Sequence, residues 1–408
     1  QGTLYGRNAT AGVVNLVPAR PSDQFEMMLS ADAGNYNNRR FEGMINIPVV
    51  DDRLDIRVAG EWTKRDGYSF NALTNSSTDG RDLWSGRLSI GLQPVENLQI
   101  DLIWERFSED DDRLRSSKQL CKKDATPTEI AGTPIPATVG NYNDPSAYLS
   151  QGCEMTSLYS PEAFQVPNGY SLPYILGLGQ AVNSALDPYA STAQSPDLRV
   201  IESSLEPIYK AKNDVVELNA EYAIAPQLQI SSQTGFSHDF LYSTQDYNRF
   251  NTTPGIWNAD YNNHTYRPGL INGEGEFCDP QLGCSSRLVG QDLSTEHAWQ
   301  LSQEFRLKSN FSGPFNFSVG GNYLHYETEE NYYVFINALT LLANEPISIP
   351  ISYHSDPWIP NITDNFKYIH GTQRADLSPD SPDLGALIFG YIDPNPLATI
   401  TARGTTTF

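Results

Sequence analysis

Two stretches of the sequence bring together residue types that can bind metal ions. LHYETEE places His325 near Glu327 and Glu329, and an acidic run occupies residues 109–112. The acidic run lacks the glycine and the bidentate glutamate of an EF-hand calcium loop, so it favours the solvated start of a loop. The histidine stretch is typical of a solvated strand end. We therefore predict no metal site at either place.

Motifs for catalysis are also missing from the sequence. It contains no Gly-x-Ser-x-Gly elbow and no His-Glu-x-x-His zinc pair, and its 6 histidines are scattered. Nothing pairs a nucleophile with a base at a recognisable spacing. We predict that the protein is not an enzyme, with no catalytic residues and no cofactor.

The 4 cysteines carry more information. Cys121 and Cys153 fall in one long stretch without strand pattern, and Cys278 and Cys284 fall in another, on CDPQLGC. An even number of cysteines outside the strands predicts disulfides and an oxidising compartment. We expect Cys121–Cys153 and Cys278–Cys284 to pair, because segments far from a core gain most from a covalent link. Free thiols, or a metal site without a neighbouring histidine, are the alternatives.

Composition limits the class of protein. The chain has 408 residues and a formal net charge of −22, which argues against nucleic-acid binding. Hydrophobic residues make up only 39%, and no apolar run reaches the roughly 18 residues of a membrane helix. Gly, Pro and Tyr are frequent. This composition fits a soluble strand-rich protein or a membrane β-barrel. In the strands of such a barrel, apolar residues occupy only every second position, so no long apolar run appears in the sequence.

Alternation is clear in four stretches, LDIRVAGEW, LQIDLIWERF, VELNAEY and WQLSQEFRL. A period of two predicts strands with one apolar and one polar face. About nine such strands are expected, as in a large partial barrel, beginning near Phe25, Arg40, Leu54, Arg81, Leu98, Lys210, Leu228, Ser294 and Phe315. The residues expected to face lipid are Leu54, Ile56, Val58, Leu98, Ile100, Leu102, Leu301 and Phe305. Those expected to face the lumen are Asp55, Arg57, Asp101, Glu217, Glu221 and Glu304.

The connections between these strands are short on one side and mostly long on the other. Short turns are expected at 50–53, 94–97, 224–226 and 310–314, whereas long segments occupy 108–209, 248–293 and 330–408. A soluble sandwich has no reason for such asymmetry, but outer-membrane barrels combine periplasmic turns with extracellular loops. Trp62, Trp84, Trp104 and Tyr222 also stand at strand ends, where barrels carry aromatic girdles.

The opening residues QGTLYGRNATAGVVNLVPARP resemble the end of the plug domain of TonB-dependent outer-membrane receptors. In that family a stretch like Gln-Gly-Thr-Leu-Tyr-Gly-Arg-Asn precedes a short Gly-x-Val-Asn-x-Val strand, a basic residue and a proline. Val50–Leu54 resembles the family's first periplasmic turn. The matching plug-end residues are Gly2, Tyr5, Gly6, Arg7, Asn8, Gly12 and Asn15, followed by Arg20 and Pro21.

The resemblance implies an all-β fold, a transmembrane antiparallel up-and-down β-barrel with long extracellular loops. Residues 1–21 would end the plug, and residues 22–408 would form the N-terminal part of the barrel. About nine strands out of about 22 would leave an open arc, with the strands from Phe25 and Phe315 as its edges. We therefore expect a fragment that lacks the signal peptide and the TonB-contacting box, with Arg7 and Asn8 on the lumenal side.

The implied function is energy-coupled uptake of a scarce ligand across a bacterial outer membrane. The implied partners are the TonB complex, outer-membrane lipid and lipopolysaccharide, and a ferric siderophore; cobalamin or oligosaccharides are alternatives. A passive porin or a surface adhesive β-protein would be a different class. Aromatic rings stack on sugars and catecholates, although packing between loops and plug explains single residues equally well. The candidate ligand contacts are Trp257, Tyr261, His264, Tyr266, His354, Trp358, Tyr368 and His370.

Overall fold

A computed structural model describes Val14 and residues 17–136, 138–139, 142–143, 149–171, 187–257, 271–343, 366–369 and 373–376. Nine long strands dominate it. They are β1 (Glu26–Gly34), β2 (Asn38–Val50), β3 (Leu54–Arg65), β4 (Arg81–Val95), β5 (Leu98–Asp111), β6 (Ile208–Ala225), β7 (Leu228–Asp246), β8 (Gly290–Ser309) and β9 (Ser318–Ile336).

These strands form one antiparallel sheet in chain order, from β1 at one edge to β9 at the other. The nine predicted strands and the two predicted edges are thus confirmed, and the all-β prediction with them. The largest shift is at β8, which begins at Gly290 rather than near Ser294. Its ladder with β7 continues to the pair Asp246 and Gln291, beyond the apolar alternation that located the strand.

The remaining elements are short and belong to the connections. The helix α1 (Asn337–Ala343) follows β9 directly. Among the described residues, no helix is long and apolar enough to cross a membrane. The short strands are Ser69–Asn71, Ser76–Thr78, Lys122–Lys123, Glu129–Ile130, Thr133–Pro134, Thr138–Val139, Tyr142–Asn143, Cys153–Glu154, Val200–Ile201, Phe277–Asp279, Gly283–Ser285, Phe366–Ile369 and Gln373–Asp376.

Strand register sorts the side chains onto two faces, because directly paired residues point to the same side of a sheet. Ile56 pairs with Ile90, Ile90 with Leu102, and Leu102 with Leu218. We call this the apolar face. On the other side Asp101 pairs with Asn219, which defines the polar face. The residues expected to share each face do so, since the same ladders connect all of them.

The connections follow the predicted asymmetry. Residues 51–53, 96–97, 226–227 and 310–317 join strands at one end, the turn end. The long connections 66–80, 112–207 and 247–289 lie at the other, the loop end. The β1–β2 turn is the exception, because it is short and lies at the loop end. Tyr36 and Asn37 there have φ values of 59° and 53°, as a tight hairpin turn requires.

Burial is concentrated at the loop end rather than between two sheets. A small apolar cluster of Cys121, Tyr189 and Phe250 is buried there, with Cys153 and Val166 packed against it. The described parts of 66–80, 112–207 and 247–289 thus form a layer with its own packing, which we call the loop layer. The polar face of the sheet lies on the inner side, and the apolar face lies on the outer side.

Candidate functional site

The segment of residues 17–24 is fastened to the polar face by Asn46 of β2. Asn46 is fully buried, and its Oδ1 accepts a hydrogen bond from the Ser22 amide at 3.0 Å. Its Nδ2 donates to the carbonyls of Ser22 at 2.8 Å and Gln24 at 2.6 Å. One side chain therefore satisfies three backbone groups that would otherwise need water. This fixes where the chain enters β1.

Arg20 makes a second attachment, farther along the polar face. Its guanidinium lies 3.3 Å from Asp101 of β5 and 3.7 Å from Glu221 of β6. Asp101 is only 4% exposed, whereas the Arg20 side chain is half exposed. Because the Arg20 side chain is half exposed, solvent screens the pair, and its main effect is to position the segment. Together, Arg20 and Asn46 hold residues 17–24 against three strands of the sheet, β2, β5 and β6.

A cavity of about 720 Å³ opens beside this segment on the polar face. Carboxylates and amides line it, and Arg20 is the cation among its lining residues. Such a wall can offer hydrogen bonds to a polar solute or to another segment of protein. Representative lining residues are Val17, Arg20, Asp101, Glu217, Gln300 and Glu304.

The plug-end motif itself lies outside the described residues, apart from its final part. Gly2, Tyr5, Gly6, Arg7, Asn8, Gly12 and Asn15 belong to the portion that is not described. Their lumenal position therefore stays a prediction. Arg20, the basic residue of the motif, does lie on the polar face. Its partners Asp101 and Glu221 were predicted to be lumenal, but their pairing with Arg20 has no signal in the sequence.

Both expected disulfides are present in the loop layer. Cys121 is bonded to Cys153 with an S–S distance of 2.13 Å, and Cys278 is bonded to Cys284 at 1.98 Å. The first links segments that are 32 residues apart, and the second closes a short hairpin. Among the described residues there is no free cysteine.

The start of the longest connection folds back over the polar face. Arg113 stacks over the Tyr209 ring at 3.6 Å, and Arg115 bonds to the buried carboxylate of Asp292 on β8. The side chain of Gln245 on β7 accepts hydrogen bonds from the amides of Arg115 at 3.1 Å and Ser116 at 3.2 Å. The chain thus crosses from β5 to β7 and β8 at the loop end, which narrows the opening above the polar face.

Partly buried charges lie just behind this crossing. Burial lowers the pKa of Lys118, although Glu202 and Asp197 oppose that shift. Burial also raises the pKa of Glu202, against the opposing charges of Lys118 and Arg287. The Lys118 ammonium donates to the carbonyls of Ser195 and Asp197, the latter at 2.8 Å. These contacts bind the loop segments to one another.

Of the candidate ligand contacts, the structure describes only one side chain. Trp257 is 4% exposed, packs edge-on against Phe277 and donates its indole N–H to the Ser285 carbonyl at 2.8 Å. In this conformation its ring belongs to the interior of the loop layer. Tyr368 lies on a described strand without a described side chain. Tyr261, His264, Tyr266, His354, Trp358 and His370 lie outside the described residues.

The two metal-like stretches are engaged with protein partners. Asp110 pairs with Lys210 at 3.1 Å, and Asp112 accepts the Gly80 amide at 2.5 Å. Burial raises the pKa of Asp112. His325 lies in the middle of β9 rather than at a strand end, and its ring stacks on Trp299 at 4.7 Å. No metal-binding group of three or more ligands occurs in the part of the chain that the structure describes.

Asn46 is the site residue that sequence reasoning missed. It occupies a polar position of the alternating stretch Met44-Ile45-Asn46-Ile47, as any face-forming residue would. Only the approach of Ser22 shows that its amide is an anchor. The available signal in the sequence was a small polar residue, which can be buried easily, in an otherwise apolar stretch.

No model of a known protein family matches this chain. Among solved structures, the siderophore receptor PiuA from Acinetobacter baumannii aligns with 81% of the chain at 11% identity and a TM-score of 0.44. The ferric-catecholate import receptor Fiu from E. coli K12, in its open form, aligns with 80% at 13% identity and a TM-score of 0.42. The ferric yersiniabactin uptake receptor FyuA from Yersinia pestis aligns with 82% at 11% identity and a TM-score of 0.35. The alignments span 34%, 38% and 48% of those three chains, respectively.

Proposed function

We propose that the protein is a TonB-dependent outer-membrane receptor that imports a scarce ligand, an iron–siderophore complex. In this proposal residues 1–21 end the plug, and residues 22–408 form barrel wall and extracellular loops. The observation that carries the proposal is the fastening of residues 17–24 to the polar face by Asn46 and Arg20. A plug that ends inside a barrel must enter the first strand from the lumenal side.

The apolar face supports a membrane position. Val58, Trp104, Phe236 and Phe305 on it are between 41% and 55% exposed. A soluble protein rarely leaves so continuous an apolar surface in water, whereas a transmembrane barrel presents such a surface to lipid. Phe41, Trp62 and Trp84 pair with one another near the loop ends of their strands, where barrels carry aromatic residues at the level of the lipid headgroups, whereas Trp104 lies in the middle of β5 rather than at a strand end.

The attached segment also distinguishes a receptor of this kind from a passive porin. A passive porin has a free lumen, and residues 17–24 and the crossing at Arg115 both occupy the polar side of this sheet. Moving such a segment would require energy, which the TonB complex would supply through the plug. Cobalamin and oligosaccharide uptake remain alternative outcomes of the test.

The experiment is a transport assay in the bacterium that carries the gene. Deletion of the gene should reduce growth under iron limitation and reduce uptake of radioactive iron supplied as siderophore complexes. Uptake in the parent strain should also stop when the proton-motive force is collapsed. Unchanged iron uptake, combined with reduced uptake of labelled cobalamin or oligosaccharide, would replace the ligand but keep the class. Uptake that persists without proton-motive force would contradict the class.

A further inference from the structure

Two Asn-Gly pairs occur in the sequence, and both lie in the loop layer. Asn168-Gly169 belongs to the longest connection, and Asn272-Gly273 precedes the hairpin that the second disulfide closes. In such a pair the backbone nitrogen of the glycine can attack the side-chain amide of the asparagine, because glycine has no Cβ to obstruct the approach. The two pairs have the same chemistry but different surroundings.

Asn168-Gly169 is held in the interior of the loop layer. Asn168 is 6% exposed, and its Nδ2 donates to the Asp124 carbonyl at 2.9 Å. The Gly169 amide donates to Oδ1 of Asp187 at 3.0 Å, so its nitrogen is already engaged. A Cβ at Gly169 would lie 2.8 Å from the Tyr189 side chain, which shows how tightly this backbone is packed. Attack at Asn168 would therefore require the loss of buried hydrogen bonds.

Asn272-Gly273 lies at the surface instead. Gly273 is exposed, and a Cβ built there would meet no atom within 4 Å apart from its chain neighbours. No described residue accepts a hydrogen bond from the Gly273 amide. The nitrogen that would attack is thus unengaged, and the backbone around it has room to change its dihedral angles.

The side chain of Asn272 is also arranged for this attack. Its Oδ1 accepts hydrogen bonds from the amides of Glu274 at 3.0 Å and Glu276 at 2.9 Å. Two N–H donors on one oxygen stabilise the negative charge that develops there when a nucleophile adds to Cγ, as in an oxyanion hole. The Oδ1 of Asn168 accepts the Tyr170 amide at a longer distance, 3.2 Å.

We propose that Asn272 deamidates spontaneously and that the product loosens the hairpin that follows it. The Gly273 nitrogen bonds to Cγ of Asn272 and passes its proton, through water, to Nδ2. The bond between Cγ and Nδ2 then breaks, and ammonia leaves. Water opens the resulting cyclic imide to aspartate or isoaspartate, so the net reaction consumes one water molecule and releases one ammonia.

The effect on the hairpin follows from the contacts of the turn. The Nδ2 of Asn272 donates to Oε2 of Glu276 at 3.1 Å, and a carboxylate in its place would repel that group. Ile271 and Phe277, on either side of the turn, are buried and form a β-bridge with each other. Deamidation should therefore loosen this bridge, together with the packing of Trp257 against Phe277.

The test incubates the purified wild-type protein in mildly alkaline buffer and measures the conversion of each asparagine by peptide mapping and mass spectrometry. Asn272 should deamidate at least roughly tenfold faster than Asn168, because the buried hydrogen bonds at Asn168 raise its barrier. Gly273→Ala should slow the conversion of Asn272 and leave the fold intact, since the structure has room for the added methyl group. Equal rates at the two asparagines, or an unchanged rate in Gly273→Ala, would overturn the proposal.

A second measurement addresses the hairpin. Asn272→Asp reproduces one product of the reaction, and hydrogen exchange of residues 271–285 should be faster in this variant than in the wild type. The matched control Asn75→Asp adds the same charge at an exposed turn of the loop layer and should leave that exchange unchanged. Wild-type exchange in Asn272→Asp would overturn the effect on the hairpin.

Discussion

The sheet and the loop layer of this protein are built on different principles. In the sheet, a simple alternation places apolar residues on one face and polar residues on the other, and each strand needs only its two neighbours. In the loop layer, apolar residues such as Phe250, Trp257 and Phe277 are buried, and segments far apart in sequence are joined by specific bonds. The stability of the sheet therefore depends on the medium around it, whereas the stability of the loop layer depends on individual contacts.

Buried amides show how the loop layer is connected. Asn71 donates to the Ser203 carbonyl at 2.9 Å and accepts from the Ser203 amide at 3.1 Å. Asn337 similarly accepts from the Val289 amide at 3.0 Å and donates to the Arg287 carbonyl at 2.9 Å. Each amide side chain donates to one backbone group and accepts from another, as a neighbouring strand would, although its partners lie far away in the sequence. Losing one such residue would leave two buried backbone groups unpaired.

The largest expected effect tests the covalent part of this layer. Replacing Cys121 and Cys153 by Ser should destabilise the loop layer by about 3–4 kcal/mol, because the disulfide closes a loop of 32 residues. Hydrogen exchange of the loop-layer residues 121–136, 149–171 and 187–207 should then accelerate, while exchange within β2 to β7 stays slow.

The second disulfide supplies the control. Cys278 and Cys284 close a much shorter loop, so their replacement by Ser should cost only about 2 kcal/mol in the same chain-entropy estimate. Equal acceleration of exchange for both double variants would show that loop length does not determine how this layer is stabilised.

The next prediction addresses the dependence of the sheet on lipid. Ile100→Arg places a charge on the apolar face and should cost about 2–4 kcal/mol near the bilayer midplane. Gln99→Arg, one residue away on the polar face beside Glu221, should be tolerated. Membrane-inserted, heat-modifiable protein on a gel measures both. Equal insertion of the two variants would contradict the lipid-facing assignment.

A smaller effect is expected where the N-terminal segment meets the sheet. Asn46→Ala should cost about 1–3 kcal/mol, because it leaves buried groups of Ser22 and Gln24 without partners. The effect should appear as protease sensitivity near Arg20 and Ser22, with the sheet intact. Ser30→Ala, on the same face of β1, is the control. A global loss of stability would instead make Asn46 part of the sheet's own core.

The smallest predicted effect is a pH dependence within the loop layer. Burial raises the pKa of Glu202 above its ordinary value of 4.5, so the folded layer holds a proton that the unfolded chain releases. Loop stability should therefore fall as pH rises through the interval above 4.5. Partial exposure and the nearby Lys118 and Arg287 keep the change below about 1 kcal/mol. Hydrogen exchange of the Glu202→Gln variant should lack this slope; an unchanged slope would assign it to another group.

The sequence predicted the strands of the sheet better than the contacts of the loop layer. The strand beginning at Leu54 and the strand beginning at Leu98 were located correctly because their alternation continues for many residues. The boundary of β8 was missed by four residues, since its first residues pair with β7 without an apolar pattern. The disulfide partners were also predicted correctly, because each pair lies within one connection.

By itself, the sequence determined the all-β class, the nine strands, their two faces and the disulfide pairs. Local periodicity and chain proximity are sufficient for these features, because neighbouring strands joined by short turns have few other ways to pair. Only the tertiary structure decided that Asn46 receives Ser22, that Arg20 reaches Asp101, and that Arg115 reaches Asp292. Those contacts join residues 24 to 177 positions apart, and a single amide or carboxylate leaves no periodic signal of its distant partner.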